Sequence, residues 1–237
     1  MTEHDGLVYV LDAGGSGNIA GFRIAGGRLH AIPGSALSLS GAGTGAAEVA
    51  FSTDGRHLVV TEKATSLIDT YRVGWDGRAG QRVTTASAGA VPYGFAFDRH
   101  NHAIVSEAAN STLSSYRVGR SGASVVSASV ATGQEAACWV AVSADGRWAF
   151  DANAHTNTIS SFSIGPDGSL ALAHGVAAST GAGTTPLDLA ATADGHLFVL
   201  EAGVPGIAAY AMGPGGSLVA IGSAVSVPAG SAGLAAS

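Results

Sequence analysis

The sequence predicts an all-β fold, a five-bladed β-propeller of four-stranded antiparallel blades. Two observations carry that prediction. The first is a short pattern that recurs five times: Ile19-Ala20-Gly21-Phe22-Arg23-Ile24, Ile68-Asp69-Thr70-Tyr71-Arg72-Val73, Leu113-Ser114-Ser115-Tyr116-Arg117-Val118, Ile159-Ser160-Ser161-Phe162-Ser163-Ile164 and Ile207-Ala208-Ala209-Tyr210-Ala211-Met212. Its rings, at 22, 71, 116, 162 and 210, are 49, 45, 46 and 48 residues apart, a period that marks a repeat architecture. The second is that periodicity within each unit is two, and no window of useful length has helical periodicity.

The elements of one unit follow in order. Strand one reads Glu48-Val49-Ala50-Phe51, Gly94-Phe95-Ala96-Phe97, Trp139-Val140-Ala141-Val142 and Asp188-Leu189-Ala190-Ala191. A turn follows at Asp54-Gly55, Asp145-Gly146 and Asp194-Gly195, with His100-Asn101 in the divergent copy. Strand two is apolar (Leu58-Val59-Val60, Ala103-Ile104-Val105, Trp148-Ala149-Phe150, Leu197-Phe198-Val199), and the ring pattern is strand three. A second turn, at Asp76-Gly77, Asp167-Gly168 and Gly215-Gly216, leads to a weaker strand four. Four strands per unit describe a propeller blade.

The repeat spans the chain, so one domain is expected over 1–237. Its blades are placed at 7–40 with 228–237, 46–86, 91–130, 136–176 and 186–226. The chain opens on a strand two, Leu7-Val8-Tyr9-Val10-Leu11, and ends on Ser231-Ala232-Gly233-Leu234-Ala235-Ala236, which fits the strand-one template. The carboxyl-terminal strand is therefore expected to complete the amino-terminal blade, so that no ladder edge is left bare.

Composition narrows the partners. A net charge of -6 and a single lysine, Lys63, argue against nucleic acid, whose phosphates call for a basic stripe. The single Cys138 excludes an intrachain disulfide and a multi-thiolate metal centre. No apolar run nears the ~20 residues of a membrane span, and Met1–Gly6 lacks the apolar core of a signal peptide. The expectation is a soluble, cytoplasmic protein with no membrane partner, a monomer or weak homodimer that takes a small-molecule ligand.

The blades resemble the lactonase family of β-propellers, which includes bacterial 6-phosphogluconolactonases and fungal carboxymuconate-lactonising enzymes. The residues that carry the likeness are Phe51-Ser52-Thr53-Asp54-Gly55-Arg56, Val142-Ser143-Ala144-Asp145-Gly146-Arg147-Trp148-Ala149-Phe150, and Ile159–Ile164 followed by Asp167-Gly168-Ser169-Leu170. The resemblance implies a lactone or related ester hydrolase. The family builds seven blades, and about two blades' worth of sequence is absent before Leu7. That leaves a second function class open, a non-catalytic binding or scaffold propeller with a degenerate site.

Aligning the blades on their rings brings Asp12, Glu62, Glu107, Asn153 and Glu201 to one equivalent position at the end of strand two. Five-fold geometry would set these groups around the channel mouth, with Glu48 and Asp188 of the inner strands near the same end. One reading is a divalent cation site, Ca²⁺ or Mg²⁺ on Glu48, Glu62, Glu107 and Glu201. Another is catalysis: Glu62, Glu107 or Glu201 activates water, with Lys63 or His155 stabilising the oxyanion. A third is that each carboxylate caps its own loop. Asp12, Asn153, Asp151, Trp139 and Asp188 complete the expected ligand-binding set.

Asp151 stands out because its counterparts are Val10, Val60, Val105 and Val199. A carboxylate in an apolar register must find partners or shift its pKa upward. His57, His100, His102 and His196 fall in the strand one–two turns, and His100 with His102 reads as a solvated turn rather than a metal pair. Arg23, Arg72 and Arg117 follow the repeated ring, and Arg56, Arg99 and Arg147 lie in turns, so only Lys63 is basic at the mouth. A phosphorylated lactone or a tricarboxylate needs a guanidinium or ammonium clamp, and a mouth with Lys63 alone is wrong for either substrate.

Overall fold

A computed structural model describes residues 1–222 and 225–236 of the chain. They form five antiparallel sheets in sequence order. The second blade is Ala46–Phe51, His57–Glu62, Leu67–Val73 and Ala79–Ala86; the third is Pro92–Phe97, His102–Glu107, Thr112–Gly119 and Gly122–Ala131. The fourth is Ala137–Val142, Trp148–Asn153, Thr158–Ile164 and Leu170–Ser179. In the first and fifth blades the outermost strand is broken in two, at Arg28–Ala31 with Leu37–Ser38 and at Leu218–Ala220 with Val225–Ser226. The only helical element among the described residues is a single 3₁₀ turn, Pro214–Gly216. Among the described residues no helix is long and apolar enough to cross a membrane.

The core sits between blades because strand residues alternate faces. In the second blade Leu58 and Val60 face the first blade and pack with Leu7, Tyr9 and Ile19, while Val59 faces the third blade. Tyr9 fixes the first interface: its hydroxyl donates to the Gly77 carbonyl at 2.9 Å and accepts the Ala79 N–H at 2.7 Å. The recurring ring is buried in blades two to five.

The end of the amino-terminal blade differs from expectation. Its innermost strand is Thr2–His4, paired antiparallel with Leu7–Tyr9 in the register Thr2↔Tyr9, Glu3↔Val8 and His4↔Leu7. The segment 231–236 therefore cannot take that edge. The cause is legible: Asp5-Gly6 is a two-residue hairpin turn with both residues at positive φ (49° and 74°), the geometry of a type I′ turn. The carboxyl-terminal chain instead adds Val225–Ser226 to the fifth blade and reaches that blade's inner strand, where the Leu234 N–H donates to Asp188 Oδ2 at 2.6 Å.

Consecutive blades pack strand against strand, but among the described residues no strand of the first blade packs on the fifth in that way. The outer faces of these two blades are accordingly less covered. Ile24 is 47% exposed, where its counterparts Val118 and Ile164 are 9% and 7%. Since Thr2–His4 already covers the inner edge, ending the chain after Val227 should leave the protein folded with its melting temperature within a few degrees. Removing residues 1–5 should lower it more, because that deletion bares a ladder edge. Thermal melts of both truncations check the difference.

Candidate functional site

Strand alternation decides where the aligned carboxylates go. Residues 58, 60 and 62 lie on one face of their strand, so Glu62 points at the preceding blade and away from the axis. Its oxygens accept the Ser40 N–H at 2.9 Å, the Ser40 hydroxyl, and the Thr65 hydroxyl at 2.6 Å. Burial pushes the Glu62 carboxyl up, but these donors outweigh it and hold the group below its ordinary range. Glu107, likewise fully buried, accepts the Gly89 N–H at 2.6 Å and the hydroxyls of Thr112 at 2.5 Å, Ser114 at 2.6 Å and Ser129 at 3.0 Å.

The rest of the set is equally dispersed. Asp12 is exposed and caps its own loop through the Gly14 N–H at 2.9 Å. Glu201 is buried beside Tyr210 without a hydrogen bond among the described residues, and burial raises its carboxyl. Asn153, oriented so that its amide nitrogen donates to Asp151 Oδ2 at 3.1 Å, accepts from the Ser160 hydroxyl at 2.9 Å. His155 is exposed. The proposed metal ligands Glu48, Glu62, Glu107 and Glu201 do not converge, and no group of three or more His, Cys, Asp or Glu among the described residues could hold a metal ion. The five-fold mouth of carboxylates is thus replaced by separate anchors between blades, because period-two register aims them sideways.

In blade three the expectation for His102 is corrected, and in blade four the expected upward shift of Asp151 is met. His102 is not solvated: it is 3% exposed, with Nδ1 2.7 Å from Asp98 Oδ2. Asp151 lies fully buried between the third and fourth blades, its Oδ1 without a partner, and burial raises its carboxyl well above the usual range. The neighbouring Cys138 thiol is pushed up to about 11 by burial and by Asp151.

A cluster that sequence reasoning missed surrounds Glu62. Asp69 is fully buried, accepts the Thr84 hydroxyl at 2.6 Å and lies 3.5 Å from Arg82 Nε. Burial, with Glu62 beside it, pushes Asp69 up to about 7 against the pull of Thr84 and Arg82. Arg82 also donates to the Ser38 and Leu39 carbonyls, which ties the second blade to the first. The available signal was Asp69 itself, at a position held by Ala20, Ser114, Ser160 and Ala208 in the other copies.

The groups that do reach the axis come from the inner strands. In blades two to five the pairing of strands one and two shifts register early, between Ala46 and Val49, Pro92 and Phe95, Ala137 and Val140, and Pro186 and Asp188. A bulge re-aims a side chain. The equivalent residues there are Glu48, Gly94, Trp139 and Asp188. Glu48, Trp139 and Asp188 line a cavity of about 560 Å³ along the channel, with Met1 and Leu234 on its wall. Gly94 leaves room for its neighbour, since a Cβ there would meet the Trp139 ring at 2.8 Å.

Glu48 Oε2 accepts the Phe95 N–H at 2.7 Å, and Oε1 accepts no hydrogen bond among the described residues. Burial pushes the Glu48 carboxyl up to about 8, against the Phe95 amide and with Asp188 adding to the rise. Asp188 accepts the Leu189 and Leu234 amides at 2.7 and 2.6 Å; burial still raises it. Lys63 is drawn aside: its Nζ sits 4.5 Å from the centroid of Tyr93, whose ring meets Trp139 edge-on at 4.7 Å. Chemically, among the described residues the channel offers one free carboxylate oxygen, an indole wall and the α-amino group of Met1, with no arginine or lysine side chain.

Residues 99–233, or 135 of 237, match the family described as "Lactonase, 7-bladed beta-propeller". No curated protein matches the chain. Among solved structures, a protein from Lactobacillus plantarum aligns at 18% identity with a TM-score of 0.77, covering 95% of this chain and 70% of that one. A putative 6-phosphogluconolactonase from Bacteroides uniformis aligns at 16% identity and TM-score 0.74, covering 92% and 68%. A periplasmic gluconolactonase from Pseudomonas aeruginosa aligns at 17% identity and TM-score 0.73, covering 94% and 68%. At these identities the structural likeness speaks to the fold.

Proposed function

The chain belongs to the lactonase family of β-propellers, and from that premise we propose that it hydrolyses a small lactone or related ester in the channel, with Glu48 as general base. The observation that carries the reading is a carboxyl with a free oxygen facing the cavity and a pKa near 8, close to the optimum for a base working at neutral to mildly alkaline pH. Ionised Glu48 takes a proton from a water as the water oxygen bonds to the lactone carbonyl carbon. The ring C–O bond then breaks, the proton on Glu48 passes to the departing alkoxide, and the product is the open hydroxy acid. The Trp139 indole N–H, unpartnered among the described residues, is the donor on the same wall for the developing oxyanion. Glu62 and Glu107, saturated by donors and sealed between blades, act here as structural anchors.

Hydrolysis of δ-valerolactone tests the reading. After subtraction of the spontaneous rate, kcat/KM should rise about tenfold per pH unit below 8 and level off above it. Glu48→Gln should lose about 100-fold or more. A pH profile flat from 6 to 9, or an active Glu48→Gln, would refute Glu48 as the base. With no arginine or lysine side chain on the cavity wall, 6-phosphogluconolactone should not be turned over. A second reading, a ligand-binding propeller without catalysis, is favoured by Asp188, whose two oxygens are both taken by backbone amides. It gains if no lactone or ester is hydrolysed.

A further inference from the structure

The channel wall is selective in charge. Its ionisable side chains are carboxylic acids, Glu48 from the second blade and Asp188 from the fifth. Trp139 contributes an aromatic surface between them, and most of the remaining wall is aliphatic. Asp188 has spent both oxygens on amides, whereas Glu48 Oε1 has no partner among the described residues. An anion here would face two acids, with the α-amino group of Met1 as the one cationic group beside Glu48 among the described residues. A neutral polar ligand could pair with Oε1 but would offer Glu48 no compensation for ionising. A cation satisfies the oxygen and offsets the charge, and its outer face can lie on the indole, an arrangement that gains most when desolvated. The adjoining wall already seats one ammonium over an aromatic ring, Lys63 on Tyr93, and Tyr93 touches Trp139.

We propose that the channel binds a ligand bearing a protonated amine, paired with Glu48 and resting on Trp139, so that an amino-substituted lactone or ester is the favoured substrate class. This rests on the channel being the working site and not on hydrolysis itself. The charged groups facing Glu48 are Asp188 and the α-amino group of Met1. Because Glu48 holds its proton up to about pH 8, pairing with an ammonium displaces that proton, and affinity depends on pH.

The test compares benzylamine with benzyl alcohol, which matches it in size and lacks the charge, by isothermal titration calorimetry on the intact chain. Benzylamine should bind at least about tenfold more tightly, a difference of about 1.4 kcal/mol. Its affinity should climb nearly tenfold per pH unit between 6 and 7.5. Titration in two buffers of different ionisation enthalpy should register close to one proton released. Glu48→Gln should bring the amine down to the level of the alcohol. Equal binding of the two ligands, or an amine affinity unchanged in Glu48→Gln, overturns the proposal. Amine-selective binding without turnover of any lactone would sink the hydrolysis reading and leave this one standing. Turnover of neutral lactones that depends on Glu48, with no preference for amines, would do the reverse.

Discussion

Replacing Glu107 with alanine is expected to destabilise the protein by about 3–5 kcal/mol, a large share of the stability of an ordinary domain. The carboxylate gathers donors from three places: the Gly89 amide of the preceding loop, Thr112 and Ser114 of its own blade, and Ser129 of the outer strand. Its removal leaves a buried amide and several buried hydroxyls competing for acceptors that the third blade does not have, and each unsatisfied group costs about 1–3 kcal/mol. Glu107→Gln keeps one acceptor oxygen and should cost less. Urea titrations of the three proteins check the order. A loss below about 1 kcal/mol in the alanine variant would mean that the hydroxyls re-pair among themselves.

Glu48→Gln should act in the opposite direction. The folded carboxyl titrates near 8 and the unfolded one near its ordinary 4.5. Between those values the unfolded chain has released a proton that the folded chain retains, so stability falls as pH rises. The contribution is fully present below about pH 4.5 and is lost by about pH 8, at up to roughly 1.4 kcal/mol per unit. Glutamine does not ionise and can still accept the Phe95 N–H. The variant should match the parent at pH 4 and exceed it at pH 8 by on the order of 3 kcal/mol. Parallel melting-temperature curves from pH 4 to 9 would refute the assignment. The same residue is thus expected to lose activity and gain stability in one substitution, as a working group held against its own preference should.

The blades were legible because their signals are local: an aromatic ring every 45 to 49 residues, Asp-Gly turns, and alternation along each strand. The site was legible only in part. Glu48, Trp139 and Asp188 were all picked out, but as accessories to a ring of carboxylates at 12, 62, 107 and 201. Alignment correctly made those residues equivalent, yet equivalence does not give direction. Whether residue 62 faces a neighbour or the axis depends on the parity of its strand, and whether residue 48 faces the axis depends on a bulge that no residue type announces. Asp69 was hidden inside the very pattern that revealed the fold. Arg82 comes from a fourth strand too weakly patterned to align. The hairpin at Asp5-Gly6 follows a strand of only three residues, Thr2–His4, too short to show alternation.

The light packing between the first and fifth blades has a mechanical consequence. A ring whose every joint is equally packed behaves as a hoop: widening its bore strains all joints at once. With one weak joint it behaves as a split washer, which can be sprung by small rotations shared among four sound interfaces. The bore between Glu48 and Asp188, which belong to blades two and five, then becomes an adjustable gap. Its resting width is set by compliance at the seam, and the Leu234–Asp188 hydrogen bond fastens the carboxyl-terminal segment to the fifth-blade side of it.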